Sequence, residues 1–222
     1  MKRFILFVLV LVISLVSVSE MKAASINHIV YDKNNLNNLV ENRAMEVGSE
    51  LDYLQVNVTG TIQSVSWTNE DSSVVSISGS NLNPLIKAKK VGTTRLKVTI
   101  TTLEGDSGSQ YVLLSIYSKL NNEFAYTRTN DAIVKKGALP SSPERGVLPL
   151  NQSFNILGQC GSYYYINMVD DINGNYDFND SVASDYGFIL KSKVSIPTTS
   201  YTLNKDSISL KLKTNGSISY SF

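Results

Sequence analysis

Histidine and cysteine each occur once in 222 residues, as His28 and Cys160. A single cysteine excludes an intramolecular disulfide, so core packing must hold the fold. One histidine and one cysteine far apart in sequence do not make a zinc site. They also leave serine and cysteine nucleophiles without the general base that activates them. An excess of one charge is missing too: 20 Lys and Arg face 19 Asp and Glu, for a formal net charge of +1. That balance lacks the basic stripe of a nucleic-acid binder, and no nucleic-acid partner is expected. Finally, no apolar run reaches the roughly 20 residues needed to cross a bilayer as a helix.

What is present begins at the N-terminus. Lys2 and Arg3 precede a nearly unbroken apolar run, Phe4 to Val18, and the small residues Ser19, Ala23 and Ala24 follow. This is the layout of a secretory signal peptide. Residues 1–24 are expected to be that leader, with an uncleaved anchor as the alternative. Lys22 at the −3 position departs from the small-residue pattern of a cut after Ala24. Loss of the leader removes three cations and one anion and leaves the mature chain at −1. The mature chain is expected to be secreted, extracellular or cell-wall-associated, with no membrane contact after cleavage.

Beyond the leader the apolar residues alternate at the period of half-buried strands. Leu54-Gln55-Val56-Asn57-Val58, Leu96-Lys97-Val98-Thr99-Ile100 and Tyr111 to Ile116 are examples, punctuated by Gly48, Gly60, Gly79, Gly92 and Gly105. About seven short strands between residues 26 and 118 predict a β-sandwich. The succession Met45-Glu46-Val47-Gly48, Val65-Ser66-Trp67-Thr68-Asn69, Val74-Val75-Ser76-Ile77 and Val91-Gly92-Thr93-Thr94 resembles the bacterial Ig-like domain of group 2. The resemblance places that module at residues 25–118 and implies an Ig-like sandwich with Trp67 in its core. An exposed, ligand-binding Trp67 is the alternative.

A second pattern follows. Leu139-Pro140-Ser141-Ser142-Pro143, Phe154-Asn155-Ile156-Leu157-Gly158, Gly161-Ser162-Tyr163-Tyr164-Tyr165-Ile166 and Tyr186-Gly187-Phe188-Ile189 together resemble a bacterial SH3-like domain. Tyr163 and Phe188 replace that family's usual tryptophans, and the connection from Val169 to Asp185 is longer than its tight hairpin. The resemblance covers 119–198 and implies a small β-barrel. Residues 199–222 alternate again, with Asn215-Gly216-Ser217-Ile218 echoing Thr59-Gly60-Thr61-Ile62. They are expected to start a truncated second Ig-like repeat. A hairpin docked on the second module is the alternative. The expected fold class is therefore all-β throughout.

Few constellations could carry chemistry. Gly105-Asp106-Ser107-Gly108 looks like a serine-protease nucleophile motif, but these are also ordinary turn residues, and a turn is expected. Asp171, Asn173, Asn175, Asp177 and Asn179 alternate as calcium-loop ligands do. Tyr176 and Val182 stand where such a loop needs glycine and a bidentate glutamate. A solvated acidic hairpin is the other reading, and calcium is the only cofactor the residues suggest. The three tyrosines of Tyr163-Tyr164-Tyr165 must point to both faces of one strand. Tyr164 and Ile166 are expected in the core. Tyr163 and Tyr165, with Tyr186, are the candidates to be exposed and to stack on sugar or peptide, with ordinary barrel packing of each ring as the other reading. The segment from Val169 to Asp185 holds five aspartates and no Lys or Arg, so a groove beside it is expected to favour amine-bearing peptides.

The two resemblances imply a cell-envelope role without catalysis. Group 2 Ig-like domains are typically spacers or adhesion modules, and bacterial SH3-like domains often bind peptidoglycan. The expected partner is peptidoglycan or another cell-envelope polymer. A host-surface protein is the alternative partner, for an adhesin. A targeting fragment of a larger wall hydrolase is the third possibility.

Overall fold

The computed structural model describes residues 25–26, 28–168 and 186–197, and the backbone of three strands after them. The expected leader and the Asp171, Asn173, Asn175 and Asp177 set lie outside the described residues. So do the side chains of residues 199–222. No α-helix occurs among the described residues, and the chain is all-β.

The first module holds β1 (Ser25–Ile26), β2 (Val30–Asp32), β3 (Asn35–Leu39), β4 (Asn42–Glu46), β5 (Glu50–Leu51) and β6 (Leu54–Val56). It continues with β7 (Ile62–Asn69), β8 (Val75–Gly79), β9 (Pro84–Ala88), β10 (Gly92–Thr102) and the start of β11 (Ser107–Thr127). One layer is a sheet in which β10 pairs antiparallel with both β7 and β11, while β1 and β4 run parallel to β11. The facing layer is two small sheets, β3-β2-β6 and β5-β9-β8. Alternation explains the layering. Leu96, Val98 and Ile100 of β10 turn inward with Val112, Leu114 and Ile116 of β11, and they meet Val30, Leu54 and Ile86 across the core. Every one of these is fully buried, as a sheet packed face to face on another requires.

A buried amide ties the incoming chain to this core. Gln110 Oε1 accepts hydrogen bonds from the backbone N–H of Ile29 at 2.7 Å and of Val30 at 3.0 Å. Its Nε2 donates to the Val40 carbonyl at 2.8 Å. The side chain is thus paired at both ends, which is what a buried polar group needs.

The second module is built from the far end of β11 with β12 (Ala132–Lys135), β13 (Glu144–Leu148), β14 (Ser153–Cys160), β15 (Tyr163–Met168), β16 (Tyr186–Leu190) and β17 (Val194–Ser195). The strand order is β13-β12-β16-β15-β14-β11, and β17 returns to pair with Tyr126 and Thr127 of β11. Each of these strands contributes to one apolar core, among them Ala125, Val134, Leu148, Phe154, Ile166 and Ile189. The strands therefore wrap around that core.

The boundary expected at 118/119 falls inside β11, a strand of 21 residues. Its first half pairs with β10 and β4, and its second half with β14 and β17. The change of partner coincides with a bulge. Between the pairs Lys119↔Gly158 and Glu123↔Ile156, β11 advances further than β14, and such an insertion bends a strand. The modules are joined by a hydrogen-bonded strand rather than by a linker.

After Pro197 come β18 (Thr202–Lys205), β19 (Ile208–Leu212) and β20 (Ile218–Ser221), a three-stranded antiparallel sheet. Two of its strands coincide with the alternating runs read from the sequence, and β18 adds one ahead of them. Among the described residues this sheet pairs with no other strand.

Candidate functional site

The site lies where the modules meet, and it begins with the hairpin of β14 and β15. The turn is Gly161-Ser162, between the paired residues Cys160 and Tyr163. Gly161 has φ 56°, a left-handed conformation that two-residue hairpin turns demand and glycine adopts readily. The turn fixes the register of the three tyrosines that follow.

Tyr164 points toward the second module's core, as expected, and packs half-buried against it beside Ile166. The Lys191 ammonium sits 5.1 Å from its ring centroid and donates to Gln159 Oε1 at 2.8 Å. Tyr163 and Tyr165 take the opposite face, again as the period requires. That face does not look into solvent. Tyr163 is only 5 % exposed. It joins Ala138, Cys160 and Phe188 in a cluster that packs on Ala44, Val91 and Tyr117 of the first module. The exposed role expected for Tyr163 is corrected accordingly: its ring fills the junction, because the neighbouring module covers that face of β15.

Close approaches at glycine make the junction possible. A Cβ on Gly158 would stand 2.3 Å from Tyr117 Cδ2, and one on Gly137 would stand 2.5 Å from Leu113 Cδ2. The Ala138 N–H donates to Ser115 Oγ at 3.0 Å. The Cys160 thiol donates to the Gly92 carbonyl at 3.5 Å. Burial pushes that thiol's pKa up, with the Gly92 bond and Lys191 opposing. Cys160 is thus a buried strand end, and it lacks the depressed pKa of a reactive thiol.

From the junction an aromatic row runs outward. Tyr165 stacks on Tyr117 at 4.6 Å between centroids, on Tyr186 at 6.0 Å, and lies 4.9 Å from Phe188 at a tilt. Burial, joined by the neighbouring phenols Tyr117 and Tyr186, raises the Tyr165 pKa strongly, and Arg145 opposes it. Tyr186 ends the row at 41 % exposure. Of the three tyrosines expected to bind, Tyr186 alone is openly exposed, and Tyr165 forms a half-buried floor.

The row opens into a cleft of about 360 Å³ between the modules. The second module contributes Tyr165, Tyr186, Lys136 and Arg145, and the first contributes Tyr53, Arg43 and Glu41. The Arg43 guanidinium lies 5.6 Å from the Tyr53 ring centroid and 3.9 Å from Asp32. Gly187 admits the Val134 side chain. A Cβ there would stand 2.3 Å from Val134 Cγ1 and 3.4 Å from Arg145 Cδ. Among the described residues the lining carries Arg43, Lys136, Arg145 and Glu41; the acidic segment from Val169 to Asp185, expected to form an amine-favouring groove, lies outside the described residues. Arg43, Tyr53, Lys136 and Arg145 were not singled out in the sequence. They are scattered across both modules, and no spacing links them.

Other expected features behave simply. Gly105 turns between β10 and β11 with φ 90°, and Ser107 opens β11. His28 is exposed. Among the described residues no group of His, Cys, Asp or Glu could hold a metal ion. Trp67 is half-buried at the margin of the first core, and its indole N–H donates to the Asn81 carbonyl at 2.8 Å. It sits there because β7 is an outer strand whose face is only partly covered.

The fold and cleft define a class: an all-β protein of two modules fused through one strand, with an aromatic, cation-rimmed groove at the join. No protein-family model matches the chain, and no curated protein matches it.

Proposed function

We propose that the chain is a secreted, non-catalytic, cell-wall-associated protein that binds peptidoglycan or a related envelope polymer. In this reading the first module is Ig-like and the second SH3-like. The inter-module cleft carries the proposal. Flat tyrosine rings with polar rims suit stacking against sugar faces, and a concave site with a few convergent polar groups is the usual form of a ligand pocket. The absence of catalysis rests on composition, since His28 is the only histidine and Cys160 is buried.

The test is sedimentation of residues 25–222 with purified cell walls, set beside intact host cells. Retention on walls, lost in Tyr186→Ala while the thermal midpoint holds, supports the reading. Binding to host cells alone would replace it with the adhesin reading. The whole segment is needed, because a cut at 118/119 severs β11.

A further inference from the structure

The first module's main sheet is antiparallel except where the chain comes in. There β1 and β4 both run parallel to β11, at successive levels of that one strand. Ser25 and Ile26 pair with Ser107 and Gly108, and Asn42 to Glu46 pair with Leu113 to Tyr117. The Leu113 N–H donates to the Glu41 carbonyl at 2.8 Å and the Val47 N–H to the Tyr117 carbonyl at 3.0 Å, so the second ladder is closed at both ends. Between the two ladders stands Gln110, whose side-chain amide holds the backbone of Ile29, Val30 and Val40. Ile29 and Val30 are themselves fully buried.

Parallel pairing sets the direction in which these bonds meet a pull. The chain enters beside the Ser107 end of β11, and β11 ends at Thr127 inside the second module. Tension between Ser25 and the second module therefore runs along the strands, in opposite senses on the two partners. Ladder bonds reach across from strand to strand, so this pull slides the strands and strains the bonds together. Pulling two neighbouring ends apart would instead break them one after another. We infer that the first module is a tension-bearing element. In it β1 and the Gln110 amide clamp the incoming chain to β11 in shear, the β4 ladder stands behind them, and β11 passes the load to the second module without a linker. The inference goes beyond the wall-binding reading and does not rest on it: a chain held at its N-terminal side and engaged through the second module meets this tension whatever the ligand.

The experiment is single-molecule force clamping of residues 25–222, with one handle fused ahead of Ser25. The second handle is attached either at Arg128→Cys, an exposed position just past β11, or at Leu103→Cys, exposed in the turn that precedes it. The native Cys160 is buried and stays unlabelled. The first arrangement shears β1 and the Gln110 bonds, and the second peels the same bonds open from the Ser107 end. At equal force the sheared protein should survive at least about tenfold longer than the peeled one, since forced unfolding reads the unfolding rate and several bonds must yield at once. Gln110→Leu should shorten the sheared lifetime about tenfold and the peeled lifetime much less, because peeling begins at β1. Equal lifetimes in the two directions overturn the inference, and that comparison needs no change at Gln110. A Gln110→Leu effect of the same factor in both directions makes the amide a structural bond alone and overturns its place in the clamp. Failure of wall sedimentation leaves the direction dependence as expected, so the two readings fail separately.

Discussion

The core of the first module and the junction between the modules are built from different side chains. The first core is aliphatic: its buried members are Ile, Val, Leu, Met and Ala, and its aromatics, Tyr53 and Trp67, lie only partly buried at its margin. The junction is aromatic and small, with Tyr163, Phe188, Tyr117 and Tyr165 interleaved with Ala44, Ala138 and Cys160. Branched aliphatics fill the space between two pleated layers in few rotamers. Rings with a polar edge can be buried on one side and wet on the other. The difference separates what holds the molecule together from what it can offer a ligand.

Breaking the aliphatic side should cost most. Leu114→Ala removes a fully buried side chain of β11 and should lower stability by about 3 kcal/mol, measured by urea denaturation. Because β11 belongs to both modules, amide exchange in β10 and in β14 should accelerate together. Protection that persists in β14 while β10 opens would show that the modules fold separately.

Breaking the junction should cost less. Gly158→Ala drives a Cβ against Tyr117 and the Ser118 carbonyl, and overpacking of this kind costs about 2 kcal/mol. The near-ultraviolet tyrosine signal should change with it, and an unchanged spectrum and midpoint would mean that the junction yields freely.

Trp67→Ala probes the margin of the first core. The ring is half-buried, so the loss should be about 1–2 kcal/mol, below the roughly 3–5 kcal/mol of a fully buried aromatic. Indole emission should be intermediate and partly quenched by iodide.

Alkaline pH tests the junction without mutation. The Tyr165 pKa is raised above the ordinary phenol value of 10.0, so the folded state favours the neutral phenol. The stability this provides is complete below the unfolded pKa and is lost as pH rises toward the folded one. The loss should begin near pH 10 and amount to at most about 1.4 kcal/mol per pH unit for this group. Ultraviolet titration should show Tyr165 ionising late, and Tyr165→Phe should remove that late step.

The smallest effect on stability belongs to the residue that matters most for binding. Tyr186→Ala, at an exposed position, should change stability by less than about 0.5 kcal/mol. A large drop in midpoint would make Tyr186 structural and weaken its place in the cleft.

The strands were legible because a period of two is a local property. Leu96-Lys97-Val98 alternates in sequence and in burial, so the all-β class and the inward residues of β10 follow from residue order alone, whereas Val112 to Ile116 of β11 are buried at every position. The same period separated Tyr164 from Tyr163 and Tyr165. It could not say what covers the second face of β15. Alternation assigns a side chain to a face, whereas burial depends on which neighbour arrives there, and the neighbour of Tyr163 comes from residues such as Ala44 and Val91, far away in the chain. The cleft is further still from local reading: Arg43, Tyr53, Lys136, Arg145 and Tyr186 share no pattern and meet only because β11 runs unbroken from one module into the next. Residue order determined the strands and their faces, through the geometry of the extended chain. The tertiary structure alone decided which face became the junction and which charges gathered beside it, because both depend on contacts between residues that no local period connects.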